Sequence, residues 1–292
     1  MNRTEVISPC HRRSMARRIL LSISLCFFVT SFTGCFLYQN LRAKDDLNNG
    51  VRFFNASMYQ EAADNFKSAY TRNPELVQAK LFYATALFKM ATNATDEAAK
   101  KKSIDEVLRF SKSLLEGGDS GKLNDDQKKI IHQAIISAYG LLKDDKSQRE
   151  WWDRKSKLPA LTTTEKSECY FQMAKIDLEQ MSDLVDKYKN KPTPEEPFPA
   201  VMYKTLDQWE PKDKEEFNRL ALQGLKFANQ SISTDADNEY GFRTKAAILD
   251  RQIALETDKD KKAEMERERN STRDKAEEIN RRRAAETTGQ AG

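Results

Sequence analysis

Histidine, cysteine, proline and glycine are all scarce in this chain, at two, four, eight and ten among 292 residues. Each shortage excludes something. Few Gly and Pro argue against a turn-rich all-β fold, and long stretches of Ala, Leu, Glu and Lys take their place, which is the composition of an all-helical protein. No Gly-rich phosphate loop, no clustered metal ligands and no nucleophile elbow occurs, so neither a cofactor nor a metal is expected. Of the four cysteines, Cys10 and Cys26 lie in or before an early apolar run, and only Cys35 and Cys169 follow it. If Cys35 is itself modified, no intramolecular disulfide is possible, and stability has to come from packing.

Long hydrophobic runs are also missing, with one short exception. Residues 19–32, "ILLSISLCFFVTSF", follow Arg17 and Arg18 and precede the small pair Thr33 and Gly34. About 20 apolar residues are needed to cross a bilayer as a helix. A basic segment, a shorter apolar run and small residues before a cut instead make a secretory signal, and "MARRILL" from Met15 forms a compact start for one. The tetrapeptide "FTGC", with Phe32 where Leu is usual, resembles the bacterial lipobox. That resemblance implies cleavage before Cys35 and attachment of lipid, palmitate among it, to that cysteine; a retained signal anchor and an ordinary thiol are the alternatives. Phe36 rather than Asp follows, which by resemblance to diderm lipoproteins implies the outer membrane, facing the periplasm.

Charge of one sign is lacking once the signal is set aside. Residues 1–34 hold five Arg and one Glu, so the 49 basic and 45 acidic residues of the whole chain become 44 and 44 in the remaining 258. The formal +4 belongs to the signal. Nucleic-acid binders draw most of their affinity from phosphate contacts and carry a net basic face. No nucleic-acid partner is expected.

What is present is helical repetition. From Gly50 the chain reads "GVRFFNASMYQEAADNFKSAYTRNP", with Gly50-x2-Phe53, Tyr59, Ala62-x3-Phe66, Ala69 and Pro74. This resembles the tetratricopeptide repeat, a 34-residue helical hairpin with the pattern G-x2-Y, A-x3-F, P. In such a hairpin the small Gly50 and Ala62 let the helices approach, Phe53 and Phe66 fill the space between them, and Pro74 stops the second helix. Asp46 and Asn49 replace the usual Trp and Leu. Shifting by 34 residues maps Gly50 to Ala84, Phe53 to Leu87 and Phe54 to Phe88, while Ala62 maps to Asp96, so the next second helix is delayed by an insertion at "TNATDEAAK" to about residues 101–117, with Ile104, Leu108 and Leu115 on one face.

Further on, "KKIIHQAIISAYGLLK" has Ile131, Ala134, Ile135, Ala138 and Leu142 at helical spacing, and Ser147-x3-Trp151 with Pro159 repeats the small-aromatic-Pro spacing. "LPALTTTEK" reads as a loop. An amphipathic stretch follows from about Ser167 to Tyr188. Four prolines between Pro192 and Pro199 forbid helix. Ala221-x3-Leu225-x2-Ala228 matches Ala62, Phe66 and Ala69, Gly241 to Leu255 forms another helix, and a highly charged helix spans about 258–286. Met265 and Ile279 are its only sizeable apolar residues, and beyond it a disordered tail is expected.

The organisation read from this is a signal over 1–34, a membrane-proximal tether over 35–42, an α-solenoid of tetratricopeptide-like hairpins over 43–256 with a break near 190–199, and a charged helix and tail over 257–292. The resemblance implies a binding scaffold whose concave groove takes protein or peptide partners of the cell envelope. Mapped residue by residue, Val51, Phe54, Asn55, Leu81, Thr85, Phe88 and Lys89 would line that groove, and the alternative is that Phe54 and Phe88 only pack on each other. An outer-membrane assembly or secretion complex is the related reading. An enzyme is the contrasting one. It would rest on His132 and Cys169, the sole histidine and sole unmodified thiol after the signal, with no catalytic motif around them. No small-molecule substrate is expected. Trp151 and Trp152 point about 100° apart on a helix, which puts one in the core and leaves the other for a neighbour or ligand.

Overall fold

The computed structural model describes residues 37–118, 120–189 and 204–289, with side chains to 286. The expected signal, Cys35 and the prolines of the expected break lie outside the described residues. What is described is all-α. Helix α1 covers 37–55, so residues 37–42 of the expected tether are its first turns. It is followed by α2 (Tyr59–Arg72), α3 (Val77–Asn93), α4 (Glu97–Glu116), α5 (Asp125–Leu142), α6 (Asp145–Ser156), α7 (Thr163–Lys187), α8 (Pro211–Thr234), α9 (Glu239–Ile253) and α10 (Lys259–Gly289). These form helical hairpins in two compact units, the first ending at Phe110 and the second beginning at Ser111.

In the first unit the repeat signature performs the jobs its residue types allow. Ala62, Phe66 and Ala69 are buried on α2. A Cβ built on Gly50 would lie 2.5 Å from Phe66 Cε1 and 2.6 Å from Cδ1, so only glycine lets the ring seat against α1. Phe66 in turn meets Phe82 of α3 at 5.3 Å between ring centroids. Asp46, which replaces an apolar residue of the repeat pattern, accepts hydrogen bonds from Ser68 Oγ at 2.7 Å and Arg72 Nε at 2.8 Å and so ties the two helices by polar contacts. Tyr70, Tyr83 and Phe110 form an aromatic cluster linking α2, α3 and α4. On α4, Ile104 and Leu108 of the expected apolar face are buried and Leu115 on the same face is half-buried, with Val107, Ser111 and Leu114 buried beside them.

In the second unit, capping decides where helices start. Asn124 and Gln127 make a reciprocal capping box at α5, as Thr162 and Glu165 do at α7. A cap of this kind contributes about 1 kcal/mol. The box at Thr162 starts α7 four residues earlier than the sequence reading, so the end of "LPALTTTEK" is helix rather than loop. Glu165 does double duty, since Lys129 Nζ of α5 donates to its two carboxylate oxygens at 3.0 and 3.1 Å. Along α7, Cys169, Met173, Ala174, Ile176, Met181 and Val185 are buried.

The ends of α7 and α8 are joined by aromatic and polar contacts. Tyr188 stacks on Trp209 at 4.4 Å with an interplanar angle of 11°. Lys204 N donates to Tyr188 O at 3.2 Å, and Trp209 Nε1 donates to Lys204 O at 2.9 Å. Below this, Phe217, Leu220, Ala221 and Ile248 complete a core with Met181 and Val185. Gly224 allows α8 to approach both neighbours, since a Cβ there would lie 2.9 Å from Ile248 Cδ1 and 3.2 Å from Asp177 Cβ.

Ser167, Ser231 and Asn238 fasten α7, α8 and the start of α9 through buried hydrogen bonds. Ser231 Oγ donates to Ser167 O at 3.0 Å, and Asn238 Nδ2 donates to Ser167 Oγ at 2.7 Å. Asn238 Oδ1 also caps α9 by accepting from the amides of Tyr240 and Gly241. The charged α10 packs a thin stripe, Thr272, Ala276 and Ile279, against α9. Arg269 and Arg273 add ion pairs to Asp250 at 3.1 and 2.5 Å. It caps the row of hairpins in this unit while keeping a polar outer face, as terminal repeats must.

Candidate binding surfaces and buried polar groups

The histidine and the thiol that could have formed a nucleophilic pair are both held neutral. His132 lies on the buried face of α5, edge-on to Trp151 at 5.3 Å. Burial, aided by Lys155 and Arg154, pushes its imidazole down to about 4. Cys169 is fully buried, and burial pushes its thiol up to about 11. A thiolate facing an imidazolium, the pair that nucleophilic catalysis needs, is opposed on both sides.

Both tryptophans of the Trp151-Trp152 pair are buried, at 5 % and 6 % exposure, so of the two alternatives for the second ring, a neighbour or a ligand, it is a neighbouring helix that covers it. The 100° between them is accommodated because α6 packs against both α5 and α7. Arg154 and Lys155 lie over the two indole faces at 4.6 and 4.9 Å and close them from solvent. Among the described residues no group of three or more His, Cys, Asp or Glu is arranged to hold a metal ion.

One buried charge pair was not foreseen. Asp177 of α7, fully buried, accepts from Arg149 Nη2 of α6 at 2.5 Å, while its Oδ2 has no partner. Burial pushes the carboxyl up to about 6 against the pull of Arg149 and Arg219. A lone acidic residue in an apolar helical stripe was the available signal, and paired carboxylates elsewhere in so charged a chain obscured it.

The expected groove residues all lie in the first unit and none is fully buried. Val51, Phe54, Leu81, Thr85 and Phe88 are half-buried, and Asn55 and Lys89 are exposed. Phe54 makes an edge contact with Tyr59 at 5.3 Å, in the turn into α2. The Thr85 hydroxyl donates to Leu81 O one turn earlier on α3. A separate cleft of about 330 Å³ opens between α2, α3 and α4, with Ala63, Tyr83 and Leu87 at its base and Asp64, Lys67 and Lys102 among the charged residues around it. Burial and a hydrogen bond to Glu106 push the Tyr83 phenol above its ordinary range, so it stays a donor there. Sequence reading missed this cleft, and it also placed the start of α4 too late: the helix begins at Glu97, inside the stretch expected to be an insertion, after a connection of only residues 94–96.

No family model and no curated protein matches the chain in sequence. Its fold does match solved structures. The crystal structure of MamA protein superposes with a TM-score of 0.50 over 84 % of this chain and 94 % of that one, at 8 % identity. MamA contains tetratricopeptide repeats, and the likeness shows the same class of fold here: all-α, built of tetratricopeptide-like helical hairpins.

Proposed function

We propose that this protein is a lipid-anchored scaffold of the bacterial cell envelope that holds protein or peptide partners on the faces of its helical hairpins. The observation that carries the scaffold reading is the hairpin architecture itself. Stacked hairpins present extended surfaces suited to peptides and helices rather than chemistry on small molecules. The half-buried aromatics Phe54 and Phe88 supply apolar anchors on α1 and α3, and exposed Asn55 and Lys89 beside them supply polar contacts. Neutral His132 and Cys169 and the charge balance of the chain after residue 34 support the same choice.

The anchor rests on "FTGC" and the apolar run before it, and the side of the membrane, the outer membrane facing the periplasm, rests on Phe36. In cells given a labelled fatty acid, label is expected in the wild type and absent from Cys35→Ser. Equal incorporation in both contradicts the anchor. Partners are read by affinity capture from detergent-solubilised envelope, and the set is expected to shrink when Phe54→Ala and Phe88→Ala are combined. An unaltered set from a folded variant contradicts the assignment of the groove.

A further inference from the structure

The first turns of α1 carry three large apolar side chains that the fold leaves uncovered: Leu37, Tyr38 and Leu41 are 63 %, 54 % and 56 % exposed. They are no unfinished part of the hairpin core. At 100° per residue they centre about 160° around the helix from the buried stripe of Ala43, Leu47 and Gly50, so they point away from the contact with α2. Arg42 sits with them, its Nε donating to Tyr38 Oη at 2.9 Å and its guanidinium 5.5 Å from the ring centroid. Leu37 stands two residues after Cys35.

We infer that Leu37, Tyr38 and Leu41 form a second membrane contact, in which the start of α1 lies in the lipid interface and fixes how the anchored protein leaves the membrane. This rests on the lipid-anchor reading for its place near a bilayer, and on the exposed face of α1 for its contact. The chemistry fits a lipid surface. Two leucines enter the acyl boundary, and a tyrosine with an arginine beside it sits at headgroup level, as amphipathic side chains do at membrane interfaces. Residues 37–48 contain Arg42, Lys44, Asp45 and Asp46 and no other charge, so attraction to anionic lipid contributes little and the contact is insensitive to salt.

The test uses the full chain, purified from membranes with Leu41→Cys carrying a polarity-sensitive fluorophore, reconstituted in phosphatidylethanolamine and phosphatidylglycerol vesicles with and without nitroxide-labelled lipid. A control fluorophore replaces Met58, exposed beyond the far end of α1. The expected result is a blue shift and nitroxide quenching at position 41, neither at position 58, unchanged in high salt. Combining Leu37→Ser with Tyr38→Ser should abolish the signal at 41 while fatty-acid incorporation persists. A water-exposed label at 41 in a protein that still incorporates fatty acid overturns the interfacial contact and leaves the anchor standing. A label shielded from water but not quenched means that protein covers the patch, which also overturns it. Quenching at 41 that survives the serine substitutions means the anchor alone brings it near lipid, and the inference fails. If quenching requires Leu37 and Tyr38 in a protein that takes up no fatty acid, the contact is upheld and the lipid anchor falls.

Discussion

Replacing Gly50 by Ala should destabilise the first hairpin even though alanine is the better helix former. A methyl group there would sit 2.5 Å from the Phe66 ring, whereas carbon atoms in contact prefer about 3.5–4.0 Å. Phe66 is 1 % exposed and already touches Phe82, so the ring has no free space to move into and the displacement passes to α3. Overpacking of this kind costs about 1–3 kcal/mol, and the gain in helix propensity returns about 1 kcal/mol, which leaves a net loss of about 1–2 kcal/mol in the harder cases. Gly140→Ala in α5 is the internal control. Its methyl would meet only the terminal Nε2 of Gln148 at 2.7 Å, the end of a flexible side chain that can swing away, so propensity should win and the protein should gain up to about 1 kcal/mol. Urea unfolding followed by far-UV circular dichroism, with slopes checked for constancy, reads both changes. If Gly50→Ala proves as stable as the wild type, close approach of α1 and α2 is not the reason for glycine at this position.

Other expectations concern buried polar groups. His132 has a folded-state pKa near 4, below its ordinary 6.5, so its contribution to stability is full above about 6.5 and is lost as pH falls toward 4; His132→Gln should flatten that acid limb of a stability-versus-pH curve. Asp177 has the opposite sign: its pKa is raised from 3.8 to about 6, so its contribution is full below 3.8 and is lost as pH rises through 6, and Asp177→Asn should remove that loss. Asn238→Ala strips the α9 cap and leaves the Ser167 and Ser231 hydroxyls short of a partner, an expected cost of about 1–3 kcal/mol in urea unfolding. Cys169, buried and with its thiol pushed up to about 11, should resist iodoacetamide at pH 8 in the native protein and react once urea is added.

The hairpin at Gly50 to Pro74 was legible because its small and large residues answer steric requirements, Gly50 against Phe66 above all, with Ala62 and Ala69 buried beside that ring, whereas Phe53, expected between the helices, is only half-buried. Helix α5 was legible through its apolar spacing, and α8 through the match of Ala221, Leu225 and Ala228 to the repeat positions Ala62, Phe66 and Ala69. The start of α7 was not, because the capping box at Thr162 and Glu165 depends on two side chains reaching back to backbone amides, and three consecutive threonines look like a loop until the cap is seen. For Trp151 and Trp152 the sequence left a neighbour and a ligand open as alternatives, because a helix that packs on two neighbours has two buried faces and periodicity describes only one. Asp46 shows the converse, a departure from the repeat pattern that Ser68 and Arg72 turn into a helix-to-helix tie. The cleft between α2, α3 and α4 depends on how three helices pack, which spacing rules do not measure.

Photo-crosslinking in living cells tests the scaffold reading most directly. A benzophenone amino acid placed at Phe54 or Phe88 lies on the half-buried aromatic positions of α1 and α3, and one placed at Leu222, 75 % exposed on α8, reports background. The expected result is discrete crosslinked protein species from positions 54 and 88 that are absent from position 222. Crosslinks at 54 and 88 no different from those at 222, in a protein that is folded and abundant, would contradict the assignment of these faces to partner binding.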